Sequence, residues 1–376
     1  MRILFITNQF PPLVDGVGDY TYNIAKQFAV HGHEVYVVCK QNPRINTEVN
    51  GMIILPVIKK WDFHCHQPIV GLIQEKGIEV VFLQYVPHGF HPKGLPFPII
   101  KLVKKIKKCP VKLFTFFHEV GVEPEKGNLK RTVLSKLMLY ISKKIIVYSD
   151  GVATSIDYYR MMILNLVPFL KEIPVIPIAS NVPETNLNKE EIAKLKEKTI
   201  VGDELIVSFF GARNINTSMQ ALSELQEEGY PLKVLLIGKT SAQLPVIFPD
   251  GTLQTGILPI TTIDAYFKIS DIFVLPESLV YGCSFKSGSL IAALRNRLPV
   301  ITSRGKFTSA LLKLDENICF ADFNSAKSVK AAMLSLLKNE ELRKKIGLGA
   351  YDLVKDIHWK ATYNAYIKLI TNDGNR

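Results

Sequence analysis

The chain has 376 residues, of which 47% are hydrophobic and 21% charged, with a formal net charge of +12. This length predicts two globular domains, and the composition excludes a disordered or fibrous protein. Its apolar runs are too short for the ~18 residues of a membrane-spanning helix, and its five cysteines form neither a CxxC pair nor a cluster at metal spacing, which argues against a disulfide framework and a zinc site.

The first forty residues predict a βαβ unit of the Rossmann type. Arg2–Thr7 has the pattern of a buried strand, Tyr20–His31 that of a helix, and Glu34–Cys39 that of the next strand. Gly16 and Gly18 lie in the loop before the helix, where they would let a ligand approach the backbone closely. The string GVGDYT does not match the GxGxxG fingerprint of a dinucleotide site, and two glycines before a helix are also common turn chemistry.

Alternating strands and helices continue the parallel sheet up to residue 180. Ligands of such sheets bind at the carboxyl ends of the strands. His118 follows one strand in the string FFHEV, so it is a candidate to orient a sugar or to move a proton. The alternative is a hydrogen-bonded histidine with a structural role. The predicted strands are Met52–Leu55, Val80–Gln84, Lys112–Phe117, Lys144–Tyr148 and Val175–Ile178.

Most of the positive charge lies in the first 180 residues, which have a surplus of 9, against 3 for the remainder. The segment Ile99–Lys108 has apolar residues at helical spacing, and Asn128–Lys144 predicts a second basic helix. Such a helix can lie on an anionic membrane, and solvated helix faces are the alternative. Nucleic acid is not expected, because aromatic residues do not alternate with the cations. The candidate membrane contacts are Lys101, Lys104, Lys105, Lys107 and Lys108.

A polar stretch, Asn181–Gly202, predicts an interdomain linker with a surface helix. We therefore expect a first domain over residues 1–180 and a second over residues 181–356, with a C-terminal helix at 357–376 that packs back on the first. The second domain repeats the alternation of strand and helix. Its predicted strands are Leu205–Phe210, Leu232–Ile237, Gly251–Thr255 and Ile272–Leu275, and its predicted helices include Ser218–Glu228 and Thr262–Ile269.

The segment Ser270–Arg304 contains a turn rich in small residues between two β-type apolar runs. Backbone N–H groups and hydroxyls gather there at a helix N-terminus, an arrangement that binds anions. Lys286 adds a positive charge, and Arg213, just past an earlier strand, could supply a second cation. The turn predicts a diphosphate site, and a serine-rich helix cap is the alternative. The other candidate residues of the turn are Ser284, Ser287, Gly288 and Ser289.

Several strings resemble the GT-B glycosyltransferases, specifically the family 4-like retaining group. They are PPLVDGVGDYTYNIAKQFAVHGHEVYVV, LIVSFFGAR and YGCSFKSGSLIAALRNRLPVITS. The resemblance implies an α/β fold of GT-B type, in which two Rossmann-like domains face each other across a cleft. It also implies that Lys286 binds phosphate and that His118 lines the site of the donor sugar.

The chain departs from the family pattern at three places. The family has two glutamates eight positions apart around the central turn, and Ser284 and Ala292 occupy those positions here. Glu277 is near but out of register. The lysine that usually follows the arginine of the glycine-arginine loop is absent from the string NINTSM.

The expected function is metal-independent transfer of a hexose, with retention, from a nucleotide diphosphate-sugar of UDP or GDP type. The acceptor would be a glycan or a lipid-linked molecule in polysaccharide or glycoconjugate biosynthesis. No cofactor is expected, and no DxD-like carboxylate pair lies near the central turn. MRILFITNQF does not resemble a signal peptide, which predicts a cytoplasmic protein, with peripheral binding to the inner face of the membrane. A non-catalytic binding subunit and a nucleotide-sugar epimerase remain alternatives, whereas an NAD-dependent oxidoreductase lacks its glycine fingerprint.

Overall fold

A computed structural model of the protein describes residues 1–239 and 247–372. The chain divides into two compact units. The first comprises Met1–Pro177 together with the helix Trp359–Thr371, and the second comprises Ile178–His358. The boundaries predicted from the sequence, after residues 180 and 356, lie a few residues from these. Residues 373–376 of the predicted C-terminal helix lie outside the described residues.

The first unit contains a seven-stranded sheet with the strand order 3-4-2-1-5-6-7. All neighbouring strands are parallel except the third and fourth, which are antiparallel. The strands are β1 (Arg2–Ile6), β2 (Glu34–Lys40), β3 (Glu48–Val49), β4 (Met52–Ile58), β5 (Val80–Tyr85), β6 (Lys112–Phe117) and β7 (Gly151–Thr154). The helices are α1 (Gly16–Val30), α2 (His66–Lys76), α3 (Pro87–Phe90), α4 (Phe97–Ile106), α5 (Leu129–Tyr148) and α6 (Asp157–Leu166).

The second unit contains a parallel six-stranded sheet with the strand order 10-9-8-11-12-13. Its strands are β8 (Leu205–Phe210), β9 (Leu232–Ile237), β10 (Leu253–Gln254), β11 (Ile272–Leu275), β12 (Val300–Thr302) and β13 (Cys319–Phe320). Its helices are α7 (Lys189–Thr199), α8 (Asn216–Glu227), α9 (Ile260–Ile269), α10 (Gly288–Arg295), α11 (Ala326–Lys338) and α12 (Glu340–Val354). The last helix of the chain, α13 (Trp359–Thr371), belongs to the first unit. The predicted α/β class is confirmed for both units.

In each sheet the order in which the chain adds strands reverses once. The point of reversal predicts where a ligand binds. In the first unit the chain adds β2 on one side of β1 and β5 on the other. In the second unit β9 and β11 flank β8 in the same way. Open parallel sheets bind ligands at such switch points, at the carboxyl ends of the strands. In the second unit this point lies at the carboxyl ends of β8 and β11.

Two predicted strands are wrong. Lys144–Tyr148 is the last part of α5, because the buried positions nearby are Ile141, Ile145 and Ile146, which repeat with the period of a helix and not with that of a strand. A short apolar run does not by itself distinguish the two. Val175–Ile178 forms no strand, and Val175 makes only an isolated bridge to Thr154.

The loop predicted before the first helix is shorter than expected. Helix α1 begins at Gly16, so both glycines lie in its first turn, and the Asp15 side chain caps it by accepting a hydrogen bond from the Gly18 N–H (2.7 Å). A Cβ atom on Gly18 would lie 2.8 Å from the Gln9 carbonyl oxygen, whereas one on Gly16 would meet nothing within 4 Å. Gly18 therefore allows a close backbone contact, and open space adjoins Gly16.

Candidate functional site

A pocket of ≈ 440 Å³ lies in the second unit, beyond the carboxyl ends of β8 and β11. Its volume falls within the range of small-molecule sites. Its position is the switch point of the sheet, where a ligand is expected. The lining residues are Arg213, Asn214, Thr217, Pro276, Glu277, Ser278, Phe323 and Asn324.

Arg213 reaches this pocket from the turn that follows β8. The turn is made by Gly211, whose φ of +91° favours glycine, and a Cβ atom there would lie 2.8 Å from Nη1 of Arg213. Nη1 donates to the Phe210 carbonyl oxygen at 3.2 Å. Nη2 lies 3.4 Å from Oγ of Ser287. The guanidinium is therefore held in place, although 22% of the side chain remains exposed.

Glu277 enters the pocket from the loop after β11. Its Oε1 lies 3.1 Å from Nε of Arg213 and 3.0 Å from Nη2 of the same residue. The Glu277 carbonyl oxygen accepts a hydrogen bond from Oγ of Ser303 at 2.7 Å, which fixes the backbone there. In the sequence, Glu277 does not align with either of the two glutamates of the family pattern. Its position directly after a buried strand is the signal that identifies it.

The N-terminus of α10 forms the third part of this site. Oγ of Ser287 accepts a hydrogen bond from the Leu290 N–H at 3.3 Å, so Ser287 is the N-cap. The N–H groups of Gly288 and Ser289 open the helix, where intrahelical acceptors are lacking and the helix dipole is positive. The structure thus brings Arg213, Ser287, Gly288 and Ser289 together.

Ser284 and Lys286 occupy different surroundings. Ser284 is only 4% exposed, and its carbonyl oxygen accepts from the Ser287 N–H at 3.0 Å, so it lies inside the turn. Nζ of Lys286 lies 5.3 Å from the ring centroid of Phe307, which stacks on Tyr281 at 4.7 Å. The amine therefore lies over the loop that follows β12, within reach of an aromatic face.

In the first unit, His118 lies at the end of β6 within a buried hydrogen-bonded chain. Its Nε2 donates to Oε1 of Gln84 at 2.9 Å, and Nε2 of Gln84 donates to the Tyr366 hydroxyl at 3.3 Å. The Tyr20 hydroxyl donates to that of Tyr366 at 3.2 Å. His118 itself is 5% exposed, and burial raises the pKa of both tyrosine hydroxyls. The chain of contacts links β5, β6, α1 and α13.

Asp19, in the first turn of α1, is a candidate that sequence reasoning missed. Burial, together with the nearby charge of Asp15, raises the pKa of Asp19 to about 6. A carboxyl group with this pKa can accept or release a proton near neutral pH. The signal available in the sequence was a pair of aspartates flanking the glycines after β1.

The described residues, 1–239 and 247–372, contain neither a candidate metal centre nor a candidate membrane span. No group of three His, Cys, Asp or Glu side chains in this part of the chain could hold a metal ion. None of its helices is both long and apolar enough to cross a bilayer. The five cysteines are free thiols, and burial raises the pKa of Cys39, Cys65 and Cys283 to about 12, so these three are protonated at neutral pH.

Comparison with known proteins places this fold. Residues 191–352 match the family model described as glycosyl transferases group 1, and a search of curated proteins found no match. Similar solved structures include a glycosyltransferase from Rickettsia africae (14% identity, TM-score 0.71), covering 99% of this chain and 98% of that one. Alr3699/HepE from Anabaena has 12% identity and a TM-score of 0.74, covering 99% and 100%. Sucrose-phosphate synthase from Thermosynechococcus elongatus has 14% identity and a TM-score of 0.70, covering 99% and 98%.

At these identities the solved structures define the fold alone. They confirm the predicted resemblance to GT-B proteins, in which two parallel-sheet α/β units are joined in one chain. The family match covers most of the second unit, including the pocket residues Arg213 and Glu277 and the start of α10.

Proposed function

We propose that the chain transfers a sugar from a nucleotide diphosphate-sugar to an acceptor, because it has the GT-B fold and its residues 191–352 match the model of glycosyl transferases group 1. The observation that carries this proposal is the contact between Arg213 and the N-cap Ser287 beside a pocket of ligand size. The Anabaena protein was solved with UDP and with UDP-glucose, which supports a UDP-type donor, and a GDP-type donor is the second choice.

Departure of the nucleotide diphosphate requires that its developing negative charge be stabilised. Arg213 presents a planar set of N–H donors suited to phosphate oxygens. Lys286 adds an amine beside the turn, and the first N–H groups of α10 lie at the positive end of the helix dipole. These groups provide the stabilisation without a metal ion, so we propose a metal-independent reaction.

Glu277 supplies the carboxylate that the family pattern places elsewhere. The two family positions are Ser284, which is 4% exposed, and Ala292, which is fully buried. Neither offers a carboxylate to a donor. Glu277 lines the pocket and is 27% exposed, so one of its oxygens can accept hydrogen bonds from sugar or ribose hydroxyls.

The first unit is assigned to the acceptor in this proposal. His118 orients the transferred sugar, and open space beside Gly16 admits a ligand to the start of α1. The proposal includes transfer of a hexose with retention, and a glycan or lipid-linked acceptor in polysaccharide or glycoconjugate biosynthesis. It also places the reaction in the cytoplasm, at the inner face of the membrane.

The test of donor binding is thermal stabilisation by UDP, GDP, ADP and CDP, because a ligand that binds only the folded state raises the melting temperature. We expect one diphosphate to stabilise the native protein and Arg213→Ala to lose most of that effect. Arg44→Ala, which alters an exposed arginine of the first unit, is the matched control. A native protein that responds to none of the four, or an Arg213→Ala variant that responds like the control, contradicts the proposal.

A non-catalytic binding subunit is the second candidate, and the replacement of the two glutamates of the family pattern by Ser284 and Ala292 favours it. Consumption of the donor, measured with and without acceptor sugars, separates the candidates. Transfer that requires an acceptor supports the glycosyltransferase. Binding without consumption supports the subunit, and conversion of the donor sugar without an acceptor indicates an epimerase.

A further inference from the structure

Helix α5 exposes a row of apolar side chains. Leu129 is 77% exposed, and Val133, Leu137 and Tyr140 are 37–49% exposed. At about 100° per residue, these four positions fall within an arc of about 80°. The opposite side of the helix faces the core, where Met138, Ile141 and Ile145 are buried. We call the four exposed residues the α5 stripe. A surface helix in water normally carries polar residues on its outer face, so the stripe needs an explanation.

Positive charges flank the α5 stripe. By the same helical geometry, Lys136 and Lys143 lie along one side of it, Lys130 lies along the other, and Lys144 lies in line with it, one turn beyond Tyr140. Nζ of Lys144 lies 5.5 Å from the ring centroid of Tyr140, so its aliphatic stem covers part of the stripe. The sequence of α5 contains no acidic residue. The one arginine of the helix, Arg131, pairs with Glu125 in the preceding loop at 3.5 Å.

Helix α4, the predicted membrane contact, has the reverse arrangement. Its apolar residues Ile99, Leu102, Val103 and Ile106 are fully buried in the core of the first unit. The expectation that these residues face a membrane is therefore wrong. Lys101, Lys104 and Lys105 of α4 are exposed, and α4 packs against α5. Lys107, just past the end of α4, forms an ion pair with Asp150. Helix α4 can supply charge to a docking surface, and the apolar contact must come from α5.

We propose that the α5 stripe is a docking surface for an anionic lipid bilayer. An amphipathic helix lies in the plane of a membrane when its apolar face enters the boundary of the acyl chains and its lysines contact anionic headgroups. The 20 residues of α5 span about 30 Å, which is enough for such a contact. The lysines on both sides are placed to reach the headgroups, and Tyr140 has the amphipathic character of residues at the membrane interface.

The same charges argue against a second copy of the chain as the occupant. A symmetric dimer through the α5 stripe would bring the lysine rows of two copies together, and like charges at close range destabilise an interface. An anionic bilayer complements both the apolar row and its basic borders. The inference extends the proposed lipid-linked acceptor. It rests on contacts within the first unit, so it stands or falls separately from the donor site.

The test is co-sedimentation with vesicles of phosphatidylcholine alone and with vesicles that also contain phosphatidylglycerol. We expect the native protein to bind only the second kind. Replacing Val133, Leu137 and Tyr140 with serine should weaken binding about tenfold or more, at low and at high salt. The matched control replaces three exposed apolar residues of the second unit with serine, namely Val201, Ile257 and Leu348. This control variant should bind vesicles like the native protein.

A third variant distinguishes the electrostatic contribution to vesicle binding from the contribution of apolar insertion. Replacing Lys101, Lys104 and Lys105 with glutamine should weaken binding about a hundredfold at low salt, and the loss should shrink as salt screens the attraction. Stripe and control variants that sediment alike would overturn the proposal. So would a native protein that ignores anionic vesicles. The melting temperature and the far-UV circular dichroism spectrum of each variant, compared with those of the native protein, serve as the folding check, because the stripe and α4 substitutions lie in the first unit.

A spectroscopic variant places the stripe in the lipid directly. Tyr140→Trp should show a blue shift of its emission when anionic vesicles are added, after the spectrum of the native protein, which contains two tryptophans, is subtracted. A blue shift that appears without vesicles and grows with protein concentration would show that a second copy covers the stripe, which contradicts the proposal.

Discussion

Oε1 of Glu277 lies 3.0 Å from Nη2 and 3.1 Å from Nε of Arg213, so one carboxylate oxygen receives two N–H groups of one guanidinium. The two residues are 64 positions apart in the chain. They meet because β8 and β11 are neighbours in the sheet and each residue follows its strand closely. The pair sits within the pocket, where a bound phosphate and Glu277 would compete for the same cation.

This competition predicts that Glu277→Gln tightens the binding of a free nucleotide diphosphate by about tenfold, which corresponds to about 1.4 kcal/mol. The nucleotide-sugar should gain less, because the variant also loses a carboxylate acceptor for hydroxyl groups. Titration calorimetry with UDP and UDP-glucose measures both. Glu224→Gln, which alters an ion pair with Lys330 on the surface of the same unit, is the control. Weaker binding of UDP would mean that Glu277 holds Arg213 in its binding position.

Lys286→Ala should weaken diphosphate binding by roughly tenfold to a hundredfold, since a hydrogen bond to a charged group contributes about 1.5–3 kcal/mol. The variant should fold normally, because Lys286 is only half-buried and its truncation leaves no cavity in the core. Calorimetric affinity for the diphosphate is the measurement, and Lys327→Ala, an exposed lysine of α11, is the control. Equal affinities for both variants would restrict the diphosphate site to Arg213 and the start of α10.

His118→Ala should lower turnover per folded molecule more than it lowers donor affinity. It should also reduce the free energy of unfolding by about 2–4 kcal/mol, because it leaves a cavity beside Tyr20 and Phe116 and removes a hydrogen bond to Gln84. Phe82→Leu creates a cavity in the same core without removing a polar group, so it controls for stability. Turnover that falls equally in both variants would show that His118 only packs.

Asp19→Asn should change how stability depends on pH. The folded-state pKa of Asp19, about 6, lies above the ordinary pKa of an aspartate, 3.8, so the folded protein holds this proton more tightly than the unfolded chain does. The protonated Asp19 carboxyl group therefore contributes its full stabilisation of the folded state below pH 4, and this stabilisation is lost as the pH rises through 6. Because Asp19 is partly exposed, solvent screening limits the expected change in the free energy of unfolding to about 1 kcal/mol.

Melting temperatures of the native protein and of Asp19→Asn, measured from pH 4 to pH 7, test this expectation. The native protein should lose stability over that range relative to the variant. Asp157→Asn, in the first turn of α6, is the matched control. Parallel curves for the native protein and Asp19→Asn would show that the carboxyl group titrates as it does in water.

Much of the fold could be predicted because the strands of a covered parallel sheet are continuous apolar runs. The predicted and observed bounds coincide for Lys112–Phe117, Leu205–Phe210, Leu232–Ile237 and Ile272–Leu275. The serine-rich turn at the start of α10 was visible for a similar reason, since helix caps have a local signature. Lys144–Tyr148 was misassigned because a short apolar run suits either a strand or a buried helix.

The sequence alone determined two α/β units, most of their strands and a basic first unit, because hydrophobic period and charge are local properties of the chain. Only the tertiary structure decided that Glu277 meets Arg213, since strand order sets which loops become neighbours. It also decided between two basic helices of similar pattern. The apolar side of α4 is covered by the core, whereas α5 has apolar residues on both sides and the core can cover only one. The elements that pack against a helix decide which of its faces stays exposed. The periodicity of the helix's own sequence does not contain this information.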